Sequence, residues 1–505
     1  MSKEMKLLRE SREQALHCCD RFFNSDYKFS PMSFEEFLYE QSRYRSGTII
    51  PEIMDLDVSS DSGFFFGTTN KRNAYIGKPA NQDGHILVTG TPGSYKSTGI
   101  VMPTLMTWRG SQVILDVKGD MRDHWRYANS YHSKKLLVFS PGSEYSCRYD
   151  PFSALRRGNL AGHARDLAMA LIPLPASVND PVWIQTAQNF LTAAIIYHFE
   201  TGCSFVDTMV ELQNTPVVDM IREVVENGSS VAKSYMTLLQ GVQEKVLSNI
   251  GMEISNLVSL VADLAIMESL SPAEEVPLLD WEILNTSVEP VDVILEIPET
   301  CLDRWKPVVV LMLNQLVKTL EQRPSRTYKK ETELPPLLIL LDEFQRLGKV
   351  SSVTNGLATL RSRGVTFALV IQSIGALDDT YGTAASRVIA DLCHYKAVLA
   401  VSDPTSQKYF SDLVGTTVTM QRGFSATHDS LSGVVSGYNR TLSETREPII
   451  HPHEFLTLQD VVLITPHGFC RANKTPYFKC AASFLRLLRS TKSIDADIGG
   501  YSYAP

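Results

Sequence analysis

Two stretches of this chain carry side chains of the types, and in the order, that phosphate chemistry uses. In the first, His85-Ile-Leu-Val-Thr-Gly90-Thr-Pro-Gly93-Ser-Tyr-Lys96-Ser97, an apolar run enters a loop that closes on Lys-Ser, and a helical pattern follows from Thr98. Successive backbone N–H groups and a helix N-terminus make such a loop an anion cradle, in which the lysine reaches the β and γ phosphates and the hydroxyl ligates magnesium. The expected nucleotide-binding residues are Gly90, Thr91, Pro92, Gly93, Ser94, Tyr95, Lys96, Ser97 and Thr98, with ATP and Mg2+ as ligands and Ser97 as a metal ligand. One position departs from G-x-x-x-x-G-K-[ST]: Tyr95 stands where the pattern asks for glycine, so its Cβ is expected to crowd a tight turn or reshape the base pocket.

The second stretch, Leu337-Leu-Ile-Leu-Leu341-Asp342-Glu343-Phe344, lies 246 residues beyond Lys96. A buried strand ending in two carboxylates supplies a magnesium-binding Asp and a Glu that polarises the attacking water. Alone, such a run is common in cores; beside a phosphate loop on the same sheet it reads as chemistry. Gln372 ends the next apolar run, Val365-Thr-Phe-Ala-Leu-Val-Ile, where it would sense the γ-phosphate and hold the water. Arg361 and Arg363 close the intervening helix. An arginine near a subunit edge could reach a neighbouring site and neutralise transition-state charge, while a plain helix C-terminal charge explains either residue on spacing alone. Asp116-Val-Lys118-Gly119-Asp120 also ends a strand, and lines either the nucleotide site or a central pore.

These residues need a scaffold of strands that end together. Strand patterns fall at His85 to Thr89, Gln112 to Val117, Lys135 to Phe139, Val291 to Ile297, Leu337 to Leu341, Val365 to Ile371 and Ala397 to Val401, alternating with helical stretches. That alternation predicts an α/β core with a mostly parallel, doubly wound sheet. Between Gly162 and Leu279 strand signals nearly vanish and helical periodicity takes over, so an all-α domain is expected inside the α/β core. From Cys203 to Leu270 nine acidic side chains face three basic ones, a local charge of −6 that fits a solvated helical surface or a docking face for basic protein cargo. The expected division is a helical amino-terminal segment over 1–80, a nucleotide-binding domain over 81–160 and 285–485, the helical insert over 161–284, and a tail over 486–505. Within the first segment Ser33 and Glu36 have capping-box spacing. Gly415 to Glu447, rich in Ser, Thr and Gly, reads as a long surface loop or hairpin.

Composition narrows the class further. Lys and Arg total 48 and Asp and Glu 56 among 505 residues, a net charge of −8, which excludes a uniformly basic nucleic-acid coat but not a basic channel on an acidic body. A hydrophobic content of 44% with 21% charged residues is that of a soluble globular protein. The longest apolar stretches, Pro307 to Val317 and Leu334 to Leu341, fall short of the roughly 18 residues a membrane span needs. The charged start MSKEMKLLRESREQ leaves no apolar signal region, and the 8 cysteines form no C-x-x-C pair, so a reducing cytoplasm is expected. His451-Pro-His453 reads as a turn rather than a metal pair, and Arg156-Arg157 and Lys329-Lys330 are too short to define a nucleic-acid site.

Several runs, in order, resemble the coupling proteins of type IV secretion, the ATPases of conjugative DNA transfer related to FtsK-type translocases. They are HILVTGTPGSYKSTGIVMPTLMTWRGSQVILDVKGDM, RYDPFSAL, DPVWIQTAQNFLTAAIIYHFE, LLILLDEFQRLGKV, FALVIQSIGALDDTYG and REPIIHPHEFLTL, spanning Phe65 to Tyr477. The resemblance implies a RecA-like motor domain interrupted by an all-α domain, a homo-hexameric ring, and ATP-driven delivery of relaxase–DNA or effector proteins. DNA would pass sequence-nonspecifically through the ring pore, and relaxase or accessory proteins would bind the all-α domain. It further implies that Lys96 and Ser97 are the phosphate-loop pair, Asp342 and Glu343 the acids, Gln372 the strand-end glutamine and Arg361 the arginine finger. Family members carry amino-terminal membrane helices that this sequence lacks. The expectation is therefore an unanchored member in the cytoplasm, recruited to the inner face of the membrane by a secretion protein in trans. Two other readings remain open: a cargo receptor with weak or structural nucleotide binding, motivated by Tyr95, and an FtsK-type translocase outside secretion.

Overall fold

The computed structural model describes residues 53–69, 74–123, 125, 134–174, 182–237, 239–258, 263–325, 334–428 and 435–479. The capping pair Ser33 and Glu36, the Lys329-Lys330 cluster and the tail lie outside the described residues.

The chain enters through three antiparallel strands, β1 (Met54–Asp57), β2 (Gly63–Thr68) and β3 (Ala74–Pro79), in the order β1-β3-β2. This corrects the expectation of helix up to residue 80. Phe64, Phe65 and Phe66 are all fully buried, so consecutive aromatics serve both faces of the small sheet, a pattern the helical reading passed over.

The main sheet contains β4 (Ile86–Thr89), β5 (Ser111–Asp116) and β6 (Lys135–Phe139). A short parallel pair, β7 (Arg148–Tyr149) and β8 (Leu278–Leu279), ties the chain's exit toward the helices to its return. The main sheet resumes with β9 (Val291–Glu296), β10 (Leu337–Leu341), β11 (Val365–Ile371) and β12 (Tyr395–Val398). Beyond the hairpin of β13 (Thr416–His428) and β14 (Val435–Pro448) it ends with β15 (Val461–Thr465) and β16 (Gly468–Ala472). The order is β16-β15-β12-β4-β11-β10-β5-β9-β6. From β12 to β6 every pairing is parallel, while β15 and β16 close one edge antiparallel.

The parallel strands read as unbroken apolar runs because both faces are covered. Leu337, Ile339 and Leu341 enter one apolar cluster and Leu338 and Leu340 the other, the alternation that a pleated strand imposes. The first cluster runs continuously from the sheet through helix Leu302–Leu320 into helices Leu160–Leu171, Val182–Glu200, Phe205–Asn214, Val217–Asn227, Glu244–Val258 and Leu264–Leu270. Among the described residues no helix is long and apolar enough to cross a membrane. Strands β15 and β16 were not expected from the sequence; they lie at an edge and are short, although Val-Val-Leu-Ile-Thr carries a strand signal. The Ser/Thr/Gly-rich segment is the β13–β14 hairpin.

Candidate nucleotide-binding site

The site forms where β4, β5, β10 and β11 end together. After β4 the chain turns through Gly90-Thr-Pro-Gly93-Ser-Tyr-Lys96, then continues as a wide π turn over Ser97–Val101 and an α-helix over Met102–Thr107. The loop is pinned at its start: Gly90 N–H donates to Ile371 O at 3.3 Å and Thr91 N–H to Ala400 O at 2.8 Å. A Cβ on Gly90 would stand 2.5 Å from Ser94 Oγ and 3.0 Å from Leu399 Cβ, so a larger residue there would have to displace the Ser94 side chain. Lys96 is buried, and its Nζ donates to Gly90 O and to Thr91 O at 3.2 Å, across the mouth of the loop. Burial lowers its proton affinity, while the charges of Glu343 and Asp342 act the other way.

Tyr95 has φ 72°, the left-handed region. This explains why the motif asks for glycine: the turn before the lysine needs positive φ, which costs a Cβ-bearing residue about 1–2 kcal/mol. The ring does not fold into the loop. It is 42% exposed, and Lys474 Nζ lies 5.9 Å from its centroid.

Asp342, the residue just after β10, is fully buried. Its Oδ1 accepts from Glu343 N–H at 3.1 Å, while Oδ2 has no hydrogen-bond donor. Burial raises its proton affinity, opposed by Lys118. Glu343 itself sits at φ 50°, a second strained non-glycine backbone, and its Oε2 accepts from Gln372 Nε2 at 2.9 Å and Gln345 Nε2 at 2.7 Å. Strain of this kind persists where surrounding structure over-determines it, as at reacting centres. From the adjacent β5 end, Lys118 Nζ donates to Ser97 Oγ at 2.8 Å and lies 3.6 Å from Asp342 Oδ2. The Asp116–Asp120 segment thus faces the nucleotide site through Lys118, one of the two placements open from sequence. Gln345 was not foreseen; its position two residues past Glu343, in the turn Phe344–Leu347, was the available signal.

Thus Lys96, Ser97, Asp342, Glu343 and Gln372 converge, and Arg361 does not join them. It lies in the turn Arg361–Arg363 that precedes β11, whereas Gln372 follows β11, so the two occupy opposite edges of the sheet. Arg361 is exposed, with Nη1 3.3 Å from His394 Nε2. Arg363 instead donates to the Arg323 carbonyl and braces the fold. His451 and His453 stack at 5.5 Å beside a turn, and no cluster of His, Cys, Asp and Glu suited to a metal occurs among the described residues.

A parallel sheet with the phosphate loop after β4 and paired acids after β10, with β11 between the two strands, defines a RecA-like P-loop NTPase fold. Over residues 31–497 the chain matches the family model described as Type IV secretory system Conjugative DNA transfer, and it belongs to that family. Similar relatives include the Conjugal transfer protein TraG of Escherichia coli, 24% identical over 440 residues, covering 82% of this chain and 68% of that protein. Protein VirD4 of Rhizobium radiobacter is 24% identical over 406 residues, covering 78% of this chain and 57% of that one. The chain therefore spans only about six-tenths of these relatives' length. In fold it resembles the bacterial conjugative coupling protein TrwB: the unbound form superposes with TM-score 0.60 at 17% identity, covering 77% of this chain and 85% of that one. TrwB with the ATP analogue ADPNP gives 0.58 at 17% identity, covering 77% and 85%, and with ADP and Mg2+ 0.53 at 15%, covering 78% and 85%.

Proposed function

We propose that this chain is a coupling ATPase of conjugative or type IV secretion, which uses ATP hydrolysis to drive a relaxase–DNA complex or protein substrate toward the secretion channel. The observation that carries the reading is the convergence of Lys96, Ser97, Asp342, Glu343 and Gln372 on one sheet edge, in a member of a conjugative DNA transfer family.

Ser97 and Asp342 fit magnesium: a fully buried carboxylate oxygen without a donor and a hydroxyl lie on either side of the Lys118 ammonium, the oxygen chemistry that ion takes. When bound with ATP, the metal would neutralise charge on the phosphates. The remaining chemistry belongs to the chain. Lys96 leaves the loop carbonyls for the β and γ phosphates. Glu343 accepts a hydrogen bond from the attacking water and aligns it, with Gln372 and Gln345 fixing the carboxylate. The N–H groups of Gly93, Tyr95, Lys96 and Ser97 bind phosphate oxygens. Arg361, at the opposite sheet edge, serves the site of a neighbouring subunit, which requires a ring; a homo-hexamer meets that need. DNA would be gripped in the ring pore by sequence-neutral, salt-sensitive contacts. The acidic helices would receive relaxase or accessory protein, and a secretion protein in trans would hold the assembly at the cytoplasmic face of the membrane.

A transfer assay in the native host tests this reading. A strain lacking the protein should lose conjugative transfer or substrate secretion, and recover it with the wild-type copy but not with Glu343→Gln. Normal transfer in the deletion strain, with a defect in chromosome segregation instead, would favour a translocase outside secretion.

A further inference from the structure

The two groups that fit magnesium already share a cation. Lys118 Nζ donates to Ser97 Oγ at 2.8 Å and stands 3.6 Å from the buried Asp342 Oδ2. A purpose-built turn aims this lysine. Asp116, fully buried at the end of β5, accepts Lys118 N–H at 3.1 Å and Gly119 N–H at 2.8 Å on Oδ1, and Met121 N–H at 2.9 Å on Oδ2. Gly119, at φ 75°, supplies the left-handed step that the turn needs. The turn thus fixes the backbone under Lys118, while the side chain remains 41% exposed on a flexible four-carbon stem.

A buried carboxylate oxygen with no hydrogen-bond donor is costly unless a charge compensates it. Lys118 is the cation that most favours the charged form of Asp342. An ammonium and a divalent metal cannot both lie between Ser97 and Asp342. Their mutual repulsion is strong at such distances, and magnesium requires near-octahedral oxygen ligation at short range.

We infer that Lys118 is a protein-borne stand-in for the metal: it holds Ser97 and Asp342 in place and offers its charge to the metal-free nucleotide until magnesium displaces it. The inference rests on the nucleotide-binding reading above. It makes Lys118 a positioning residue that couples arrival of the metal to departure of a protein charge from between Ser97 and Asp342. A lysine that merely braced the surface would do neither.

The test is the affinity of a fluorescent ADP analogue at Mg2+ concentrations from zero, in EDTA, to saturation, for wild type, Lys118→Met and Lys118→Arg. The quantity read is the ratio of metal-free to metal-saturated Kd. In Lys118→Met the metal meets no competitor and the metal-free nucleotide loses a cation, so the ratio should rise by about three- to fivefold over wild type, the upper end for one partly exposed ion pair. Lys118→Arg, which keeps the charge, should stay within about twofold of wild type. Lys118→Gln serves as a second neutral variant should Lys118→Met fail to fold. An unchanged ratio in the neutral variants, with both Kd values shifted together or not at all, overturns the inference and leaves the nucleotide site standing. Absence of ADP binding by the wild type under all conditions overturns the nucleotide-binding reading and this inference with it.

Discussion

Gln372, the residue just after β11, donates from Nε2 to Oε2 of Glu343 across a distance of 2.9 Å. Gln345, in the turn after β10, donates to the same oxygen at 2.7 Å, so the carboxylate is clamped from two segments. One Glu343 oxygen is thereby committed to the protein, which leaves Oε1 for a water. The prediction is a separation of binding from turnover. Gln372→Ala should lower the rate of ATP hydrolysis by about ten- to a hundredfold, below the full effect of losing a general base, while nucleotide Kd stays within about twofold. A large loss of nucleotide affinity in this variant would place Gln372 on the nucleotide instead of on Glu343.

Tyr95 offers a clean separation of backbone from side chain. At φ 72° both Tyr and Ala carry a strained Cβ, while Gly does not. Tyr95→Gly should therefore be more stable than Tyr95→Ala by about 1 kcal/mol, read from urea or thermal unfolding. Because the ring lies outward near Lys474, Tyr95→Gly should bind ATP at least as tightly as wild type. A large loss of affinity would instead make the ring part of the site and strengthen the reading of a receptor with altered nucleotide use.

Arg361 and Lys96 stand at opposite edges of the sheet, so each is expected to act in a different site of a ring. Arg361→Ala and Lys96→Ala should each be nearly inactive, given the roughly 10³-fold or larger effect of arginine fingers. Mixing the two should restore measurable hydrolysis, because some interfaces regain both residues. No recovery on mixing would mean that Arg361 does not act across a subunit boundary.

His85 predicts a pH dependence of stability. Its Nδ1 accepts from Phe367 N–H at 3.0 Å and its Nε2 donates to Leu357 O at 2.8 Å, so only the neutral ring satisfies both. Burial pushes its pKa down to about 3. The unfolded chain takes up a proton below about pH 6.5 and the folded one does not, so stability is complete above that pH and declines as pH falls toward 3. The decline is at most about 1.4 kcal/mol per pH unit from this group. Between pH 4 and 6.5, His85→Gln should lose less stability per pH unit than wild type. Equal slopes would remove His85 from the acid transition.

Much of this was legible in the sequence for a physical reason. Strands such as Leu337–Leu341 and Val365–Ile371 are buried on both faces, which leaves unbroken apolar runs, and the chemistry sits on the residue just after each run. Asp342, Glu343 and Gln372 could be named because they occupy those ends. The strands at 54–79 and 461–472 were missed because short antiparallel strands, at a sheet edge or in a small separate sheet, leave weaker patterns. The partnership of Lys118 with Ser97 was invisible because it joins two loops 21 residues apart, and only the adjacency of β5 to β10 brings Lys118 to Asp342 as well.

The central claim is that the cluster at this sheet edge hydrolyses ATP to move nucleic acid or its cargo. The most direct measurement is ATP hydrolysis with and without DNA by wild type, Lys96→Ala and Glu343→Gln, each at low and high salt. A coupling ATPase should show DNA-stimulated turnover in the wild type that weakens with salt and is abolished in both variants. Equal, negligible rates in all three proteins, with or without DNA, would contradict it.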